Sequence, residues 1–473
     1  MNGRKRTRKM YPTEKKRGLG QKEEEKLGIK VSKTKPDWLT LPDLAMVRIL
    51  EHLDKTSRSN FALTCKRLEE LSHSPSLWRV ANLDFVNRKH AVSDYRVVCN
   101  HAKYLHHLQV FGMRSTTRPR TLEDQEETVT MRFLPNFLRK YITQARLKSI
   151  FLSDVNVDKN FHKPVSFVKS LKAVLSTQCN LVVVQLSSLR VQYHHGIALL
   201  GALATTNGST LSSLNIFNFF VSNVSTLGSE FNSIIEKFSK LKEFFVNYNC
   251  LDDGAISALA ESETSSKTLQ LLSVDVYGCE PHDHVISTST WRQFKAACPR
   301  TKVTFDLDEI ERYHDFISIL TPGMPLHTLK LWTGYDIEDE ARLPALFVHL
   351  AENFNDVIES ATFQVDNSAT PIDAELLFFV QQCKRLSGIE LFAILGVDVI
   401  ERICRLQQTK KIHLEKFHVT LNSATAAEAV DLMLVEDAYA DMLYDPDDCL
   451  DFEFSTDADG AIFSDSDVTI DDE

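Results

Sequence analysis

Few residues in this 473-residue chain could do bond chemistry. His282-Asp283-His284 carries the right side chains for a metal, but no cysteine or third ligand stands at the spacing zinc requires. The triplet therefore reads as a polar loop after Gly278. His194-His195 precede an apolar run of helical spacing and read as caps or surface residues, while His413 and His418 straddle a short strand from which His418 faces outward. A glycine-rich phosphate loop, Gly-x-Ser-x-Gly and His-Glu-x-x-His are all absent from the sequence. The expectation is no catalytic residue, no metal and no cofactor, so that function must come from holding other molecules in place.

What would do the holding is repetitive. From Leu105 to about Val419 an apolar-x-x-apolar-x-apolar unit recurs, as in Leu147-Ile150-Leu152, Leu181-Val184-Leu186, Leu241-Phe244-Val246 and Leu414-Phe417-Val419. Eleven units can be counted, one of them (Val303, Phe305, Leu307) lacking its leading leucine. Helical-looking segments lie between them, among them Phe167 to Leu175, Trp291 to Ala297 and Val397 to Ile403. A strand and a helix at a period of roughly 20 to 35 residues resembles a leucine-rich-repeat solenoid, in which each unit buries its apolar edge by stacking on the next. The expected fold class is α/β, an arc with parallel strands inside and helices outside. Asn249 stands where such repeats use an amide to satisfy the turn.

Period-two alternation sends the intervening residues of each strand to the concave face. Phe151, Phe217, Phe245, Trp332 and Phe392, with Asn247, are the candidate client-binding residues there, because rigid aromatics anchor interfaces. The aligned repeats place Phe151, Gln185, Asn215, Phe245, Ser273, Lys330, Thr362, Glu390 and His418 in one row.

Ahead of the repeats, residues 36–82 carry a denser pattern. Leu41-Pro42 opens a helix in which Leu44, Val47, Leu50 and Leu53, together with Met46 and Ile49, recur at three- and four-residue steps. Leu63-Thr64-Cys65-Lys66-Arg67-Leu68 and Pro75-Ser76-Leu77-Trp78 follow. Three helices in fewer than fifty residues cannot bury that much apolar surface among themselves, so a partner is implied. The stretch resembles an F-box. That resemblance implies a small all-α module docking on the adaptor Skp1 and, through it, on a cullin scaffold. Leu41, Pro42, Ile49, Leu50, Leu53, Leu63, Cys65, Leu68 and Trp78 are the residues it assigns to Skp1 binding, without separating those buried in the module from those facing the adaptor. An F-box ahead of irregular repeats further resembles the F-box-only protein thirty-nine group, over roughly residues 36 to 420.

The resemblance implies a substrate-recognition subunit of a Skp1–cullin–F-box ubiquitin ligase, with an unknown protein client on the repeats. A rival reading is a repeat-based interaction scaffold whose basic arm serves nucleic-acid binding or nuclear targeting. Residues 1–35 hold thirteen Lys/Arg against four Glu, whereas residues 436–473 hold fifteen Asp/Glu and no Lys or Arg. Tails of one dominant sign are expected to be disordered. With no base-stacking aromatics in the arm beyond Tyr11, nucleic acid is not the favoured partner. No apolar run reaches the ~18 residues of a membrane span, and nine scattered cysteines suit a reducing compartment. The expected setting is intracellular, in cytoplasm and/or nucleus. The expected domains are a basic tail (1–35), the F-box (36–82), a helical connector (83–104), the solenoid (105–421) and an acidic, largely disordered tail (422–473).

Overall fold

The structure, a computed structural model, describes residues 40–85, 88–112, 133–157, 161, 163–221, 227–261, 265–310, 312–334, 340–444 and 450–457. The basic arm, the whole of the polar stretch 114–128 and the last sixteen residues lie outside them. Two compact units divide the chain between Ser74 and Pro75.

The first unit holds α1 (Asp43–Glu51), α2 (Lys55–Ala62) and α3 (Lys66–Ser72). Pro42 precedes α1 with an extended backbone, and Asp54 caps α2 by accepting from the Ser57 amide at 2.9 Å. Arg67 ties α3 to the start of α1: its guanidinium donates to the Leu41 carbonyl at 2.6 Å and to Asp43 at 2.6 and 3.0 Å.

The second unit is built on thirteen strands: β1 (Val80–Asp84), β2 (His107–Phe111), β3 (Ser149–Ser153), β4 (Val183–Gln185), β5 (Ser213–Asn215), β6 (Glu243–Asn247), β7 (Leu271–Tyr277), β8 (Lys302–Asp308), β9 (Leu326–Trp332), β10 (Ser360–Gln364), β11 (Gly388–Ala393), β12 (Lys416–Asn422) and β13 (Asp451–Asp457). They form one sheet in sequence order, every neighbouring pair parallel. Helices fill the crossovers: α4 (Arg88–His101), α5 (Leu134–Lys140), α6 (Pro164–Thr177), α7 (Tyr193–Asn207), α8 (Gly228–Ile235), α9 (Asp253–Glu261), α10 (Ser265–Thr268), α11 (Thr288–Ala297), α12 (Tyr313–Ile319), α13 (Leu343–Asn353), α14 (Asp373–Gln382), α15 (Val397–Gln408), α16 (Ala426–Ala438) and α17 (Ala440–Leu443). Inward-pointing strand residues and the buried faces of these helices share one apolar core. This is a leucine-rich-repeat-like solenoid. The eleven repeats read from the sequence are β2 to β12.

At both ends the sheet runs one strand beyond that pattern. β1 straddles the boundary between the expected F-box (36–82) and the expected helical connector (83–104); Ala81 and Leu83 are buried while Val80, Asn82 and Asp84 are exposed, an alternation with no leading leucine to advertise it. At the other end, the stretch expected to be largely disordered holds α16, α17 and β13. Thr425 and Glu428 form a reciprocal capping box, Leu432 and Val435 are buried, and β13 pairs with β12 along its whole length. Phe452 and Phe454 alternate with acidic residues there, so counting charge alone hid an amphipathic strand.

The backbone groups between repeats are satisfied by buried amides and hydroxyls that the repeat pattern did not mark. Gln178 accepts from the Leu147 amide at 2.8 Å and donates to the Ile142 carbonyl at 3.1 Å. Asn207, with no exposed surface, accepts from the Leu181 amide at 3.0 Å and donates to the Gln178 carbonyl at 2.7 Å. Further along, Thr268 and Thr301 donate to the Leu241 and Leu269 carbonyls, and Asn367 and Gln407 make paired amide bonds to Ile394 and Leu414. Asn249, expected at a turn, is buried, but Asn207, Gln178 and Gln407 at the helix ends do the same work elsewhere.

Candidate functional site: an apolar module surface and the open face of the sheet

In the helical module the residues expected to meet an adaptor fall into two sets. Leu50 and Leu68 have no exposed surface and hold the module together with Met46 and Val47. Leu41, Leu53 and Cys65 are half-buried. Ile49 and Leu63, at 42% and 85% exposure, lie on the surface with Pro42. Leu44, 73% exposed, joins them, although sequence reasoning counted it only as part of the helix's apolar stripe. Trp78 belongs to the second unit, where its ring stacks on His101 at 4.0 Å between centroids and 7° between planes. It is thus part of the start of the solenoid as well as of the sequence pattern.

On the sheet, the outward-facing residues form rows set by strand register. The first row runs Gln109, Phe151, Gln185, Asn215, Phe245, Ser273, Thr304. A register irregularity then falls between Val303 and Thr304, so that Thr304 pairs with Thr328 and Asp306 with Lys330. Every strand after β8 is therefore displaced by one pleat from the alignment that the leucine spacing suggests. Lys330, Thr362, Glu390 and His418 sit beside Asp275 and Asp306 rather than in the row of Phe245.

The aromatics consequently form separate groups. Phe217 and Phe245 meet edge to face at 5.7 Å and 82°. Trp332 pairs with Asp308 on one side and Gln364 on the other, and Phe392 follows Gln364. Phe151, Phe217, Phe245, Trp332 and Phe392 are all half-buried. Asn247 is not available to a client: it is 2% exposed, accepts from the Asn218 amide at 2.6 Å and donates to Glu280 at 3.0 Å. It is a brace between β6 and the loop after β7.

Between the aromatic groups the open face is acidic. Asp275 and Asp306 are direct partners across β7 and β8, as are Tyr277 and Asp308. Burial, reinforced by the Asp306 charge, pushes the Asp275 carboxyl up to about 8; burial pushes Glu280 up to about 7 and Asp308 to about 6. Lys330, 4.0 Å from Asp306, is a counter-charge in this row, and the Arg190 charge opposes the rise at Glu280. Such carboxyls keep protons in the folded chain that the unfolded chain has released, so this patch makes stability fall as pH rises from about 4 to about 8. Asp275→Asn is expected to raise the melting temperature more at about pH 8.5 than at about pH 5, a difference that paired thermal melts would read. An equal shift at both values would show that Asp275 ionises as freely as in water.

His282 and His284 serve structure. His282, 7% exposed, places one ring nitrogen 2.7 Å from the Glu280 carbonyl and the other 3.2 Å from Asp315, which also pairs with Arg312. His284 stacks on Tyr248 at 4.6 Å. Among the described residues no group of three or more His, Cys, Asp or Glu could hold a metal ion, and no helix is long and apolar enough to cross a membrane.

A family model described as F-box-like matches residues 38–83. The F-box/LRR-repeat protein 21 of Mus musculus is 25% identical over 370 residues, covering 75% of this chain and 76% of that protein. Its Bos taurus counterpart is 23% identical over 368 residues, with the same coverage. The fold and the comparisons together support an F-box protein with leucine-rich repeats: an F-box-like helical module followed by a parallel, helix-backed solenoid.

Proposed function

We propose that the chain is a substrate-recognition subunit of a Skp1–cullin–F-box ubiquitin ligase. The observation that carries this is the exposure of Leu44, Ile49 and Leu63 on a three-helix module that matches the F-box-like model. Apolar side chains left in water beside a buried Leu50 and Leu68 suit an adaptor surface better than a free one. The module would hold Skp1 and, through it, a cullin. The sheet's open face would hold a protein client, raising the local concentration of its lysines around a ubiquitin-charged enzyme. No side chain of this chain need make or break a bond. The narrower kinship with the F-box-only protein thirty-nine group, and residence in the cytoplasm and/or nucleus, belong to the same proposal.

Titration of the purified chain with purified Skp1 tests the adaptor half directly: binding at about 1 μM or tighter is expected, and no detectable association would remove the basis for the proposal. For the client half, the paired rings of Phe217 and Phe245 are the anchors. Changing both to alanine is expected to weaken client capture by about 30-fold or more, the equivalent of ~2 kcal/mol for an interface hot spot, with Skp1 binding unchanged. Client recovery equal to that of the unaltered chain would place the client elsewhere. The excess of carboxyls on this face favours a client segment that is cationic, whose capture should strengthen as pH rises and Asp275 ionises.

A further inference from the structure

A cleft of about 740 Å³ opens where α14 and α15 end and the chain turns back toward β11 and β12. That volume is in the range of ligand-binding pockets. Its walls come from the last turns of both helices, from the turns that follow them and from α17. Leu386 is buried there, and Ile412 and Met442, half-buried, pack against the apolar core, so the floor is apolar. The rim is cationic. Lys384, Lys410, Lys411 and His413 line it in water, with Asp441 as the one carboxylate among the described lining residues.

These lysines differ from the cations around them. Arg385 pairs with Glu359 at 3.0 Å, Arg405 of α15 pairs with Glu401 at 2.6 Å, and Lys416 pairs with Glu390. Lys384, Lys410 and Lys411 form no ion pair among the described residues. The helix ends account for part of the placement, since a cation just past a C-terminus gains about 0.3 to 1 kcal/mol from the helix dipole. One lysine per helix would supply that, yet α15 is followed by two and by His413. The turn that sets Lys410 beside Lys411 also passes through a left-handed backbone at Lys410, φ 55°, which lysine seldom adopts. Like charges held side by side repel, and an anionic ligand relieves that repulsion.

We propose that this cleft docks a short acidic peptide segment of a partner protein, with its carboxylates on Lys384, Lys410 and Lys411 and an apolar side chain on Ile412 and Met442. The floor is what selects a peptide, because a small polyanion would use the rim alone. The site is separate from the open face of the sheet, where Asp275, Asp306 and Asp308 gather. The two surfaces therefore select partners of opposite charge.

Fluorescence anisotropy on the intact chain tests this, with a short fluorescein-labelled peptide of glutamates around one leucine as the probe. Binding at about 100 μM or tighter is expected at ~0.05 M salt, weakened about tenfold at ~0.5 M. Lys410→Glu/Lys411→Glu should weaken it about tenfold or more, and Lys384→Glu on the other turn should act in the same direction, both with an unchanged thermal melt. Lys169→Glu/Lys172→Glu makes the same change of charge on the exposed side of α6 and should alter binding by less than about twofold. Equal loss in the two double variants, or no binding by the unaltered chain, would overturn the proposal. So would inorganic tripolyphosphate, or the probe with serine in place of leucine, binding as tightly as the peptide, since the apolar floor would then play no part.

Discussion

Replacing both Ile49 and Leu63 by aspartate is expected to abolish Skp1 capture, by 100-fold or more, without lowering the thermal transition of the chain. Leu63 is 85% and Ile49 42% exposed, so a carboxylate at either position reaches water and adds no fully buried ion. At an adaptor interface the same charges would be desolvated without partners, which costs several kcal/mol. Leu50→Ala gives the contrasting result. Leu50 has no exposed surface, and truncating a buried leucine costs about 2 to 5 kcal/mol. Binding would fall there because the module unfolds. Circular dichroism melts beside Skp1 titrations separate the two: loss of binding with an unchanged melt is the signature of a surface role. Skp1 binding retained by the aspartate pair would show that these side chains lie outside the interface.

Asn207→Leu is expected to lower the stability of the solenoid by about 3 kcal/mol. The change leaves the Leu181 amide and the Gln178 carbonyl buried without their partners, and each orphaned group costs about 1 to 3 kcal/mol. Each repeat touches only its neighbours, so the damage should be local. Amide exchange should rise first in β4 and β5, on either side of the lost bracket, and β11 and β12 should keep their protection. Uniform loss of protection along the sheet would contradict a nearest-neighbour solenoid. Urea denaturation gives the magnitude and exchange gives the place.

The repeats were legible because burying a strand edge by stacking requires the same apolar spacing every time, and Leu181-Val184-Leu186 has little choice in what it does. The eleven spacings matched β2 to β12. Three kinds of feature lay beyond that pattern. β1 and β13 are terminal strands, each with one neighbour, and Val80–Asp84 and Asp451–Asp457 alternate without the leading leucine. The irregularity between Val303 and Thr304 depends on how two strands meet, which no single strand records; it separates Lys330 from the row of Phe245. Asn247 occupies an outward position by parity, but a partner across a turn, Glu280, draws it under cover. In the module, the spacing of Leu41, Leu50 and Leu63 indicated an apolar surplus, yet only the packing shows which of these side chains remain in water.

The division of labour between module and sheet is the central claim, and one comparison tests it. The intact chain, the Ile49→Asp/Leu63→Asp form and the Phe217→Ala/Phe245→Ala form would be purified from the same cells and their bound proteins quantified. The first pair of substitutions should remove Skp1 and the cullin while clients remain or accumulate. The second should remove clients while Skp1 and the cullin stay. If both forms lose the same proteins, or if neither loses Skp1, the two surfaces do not have the separate roles assigned to them.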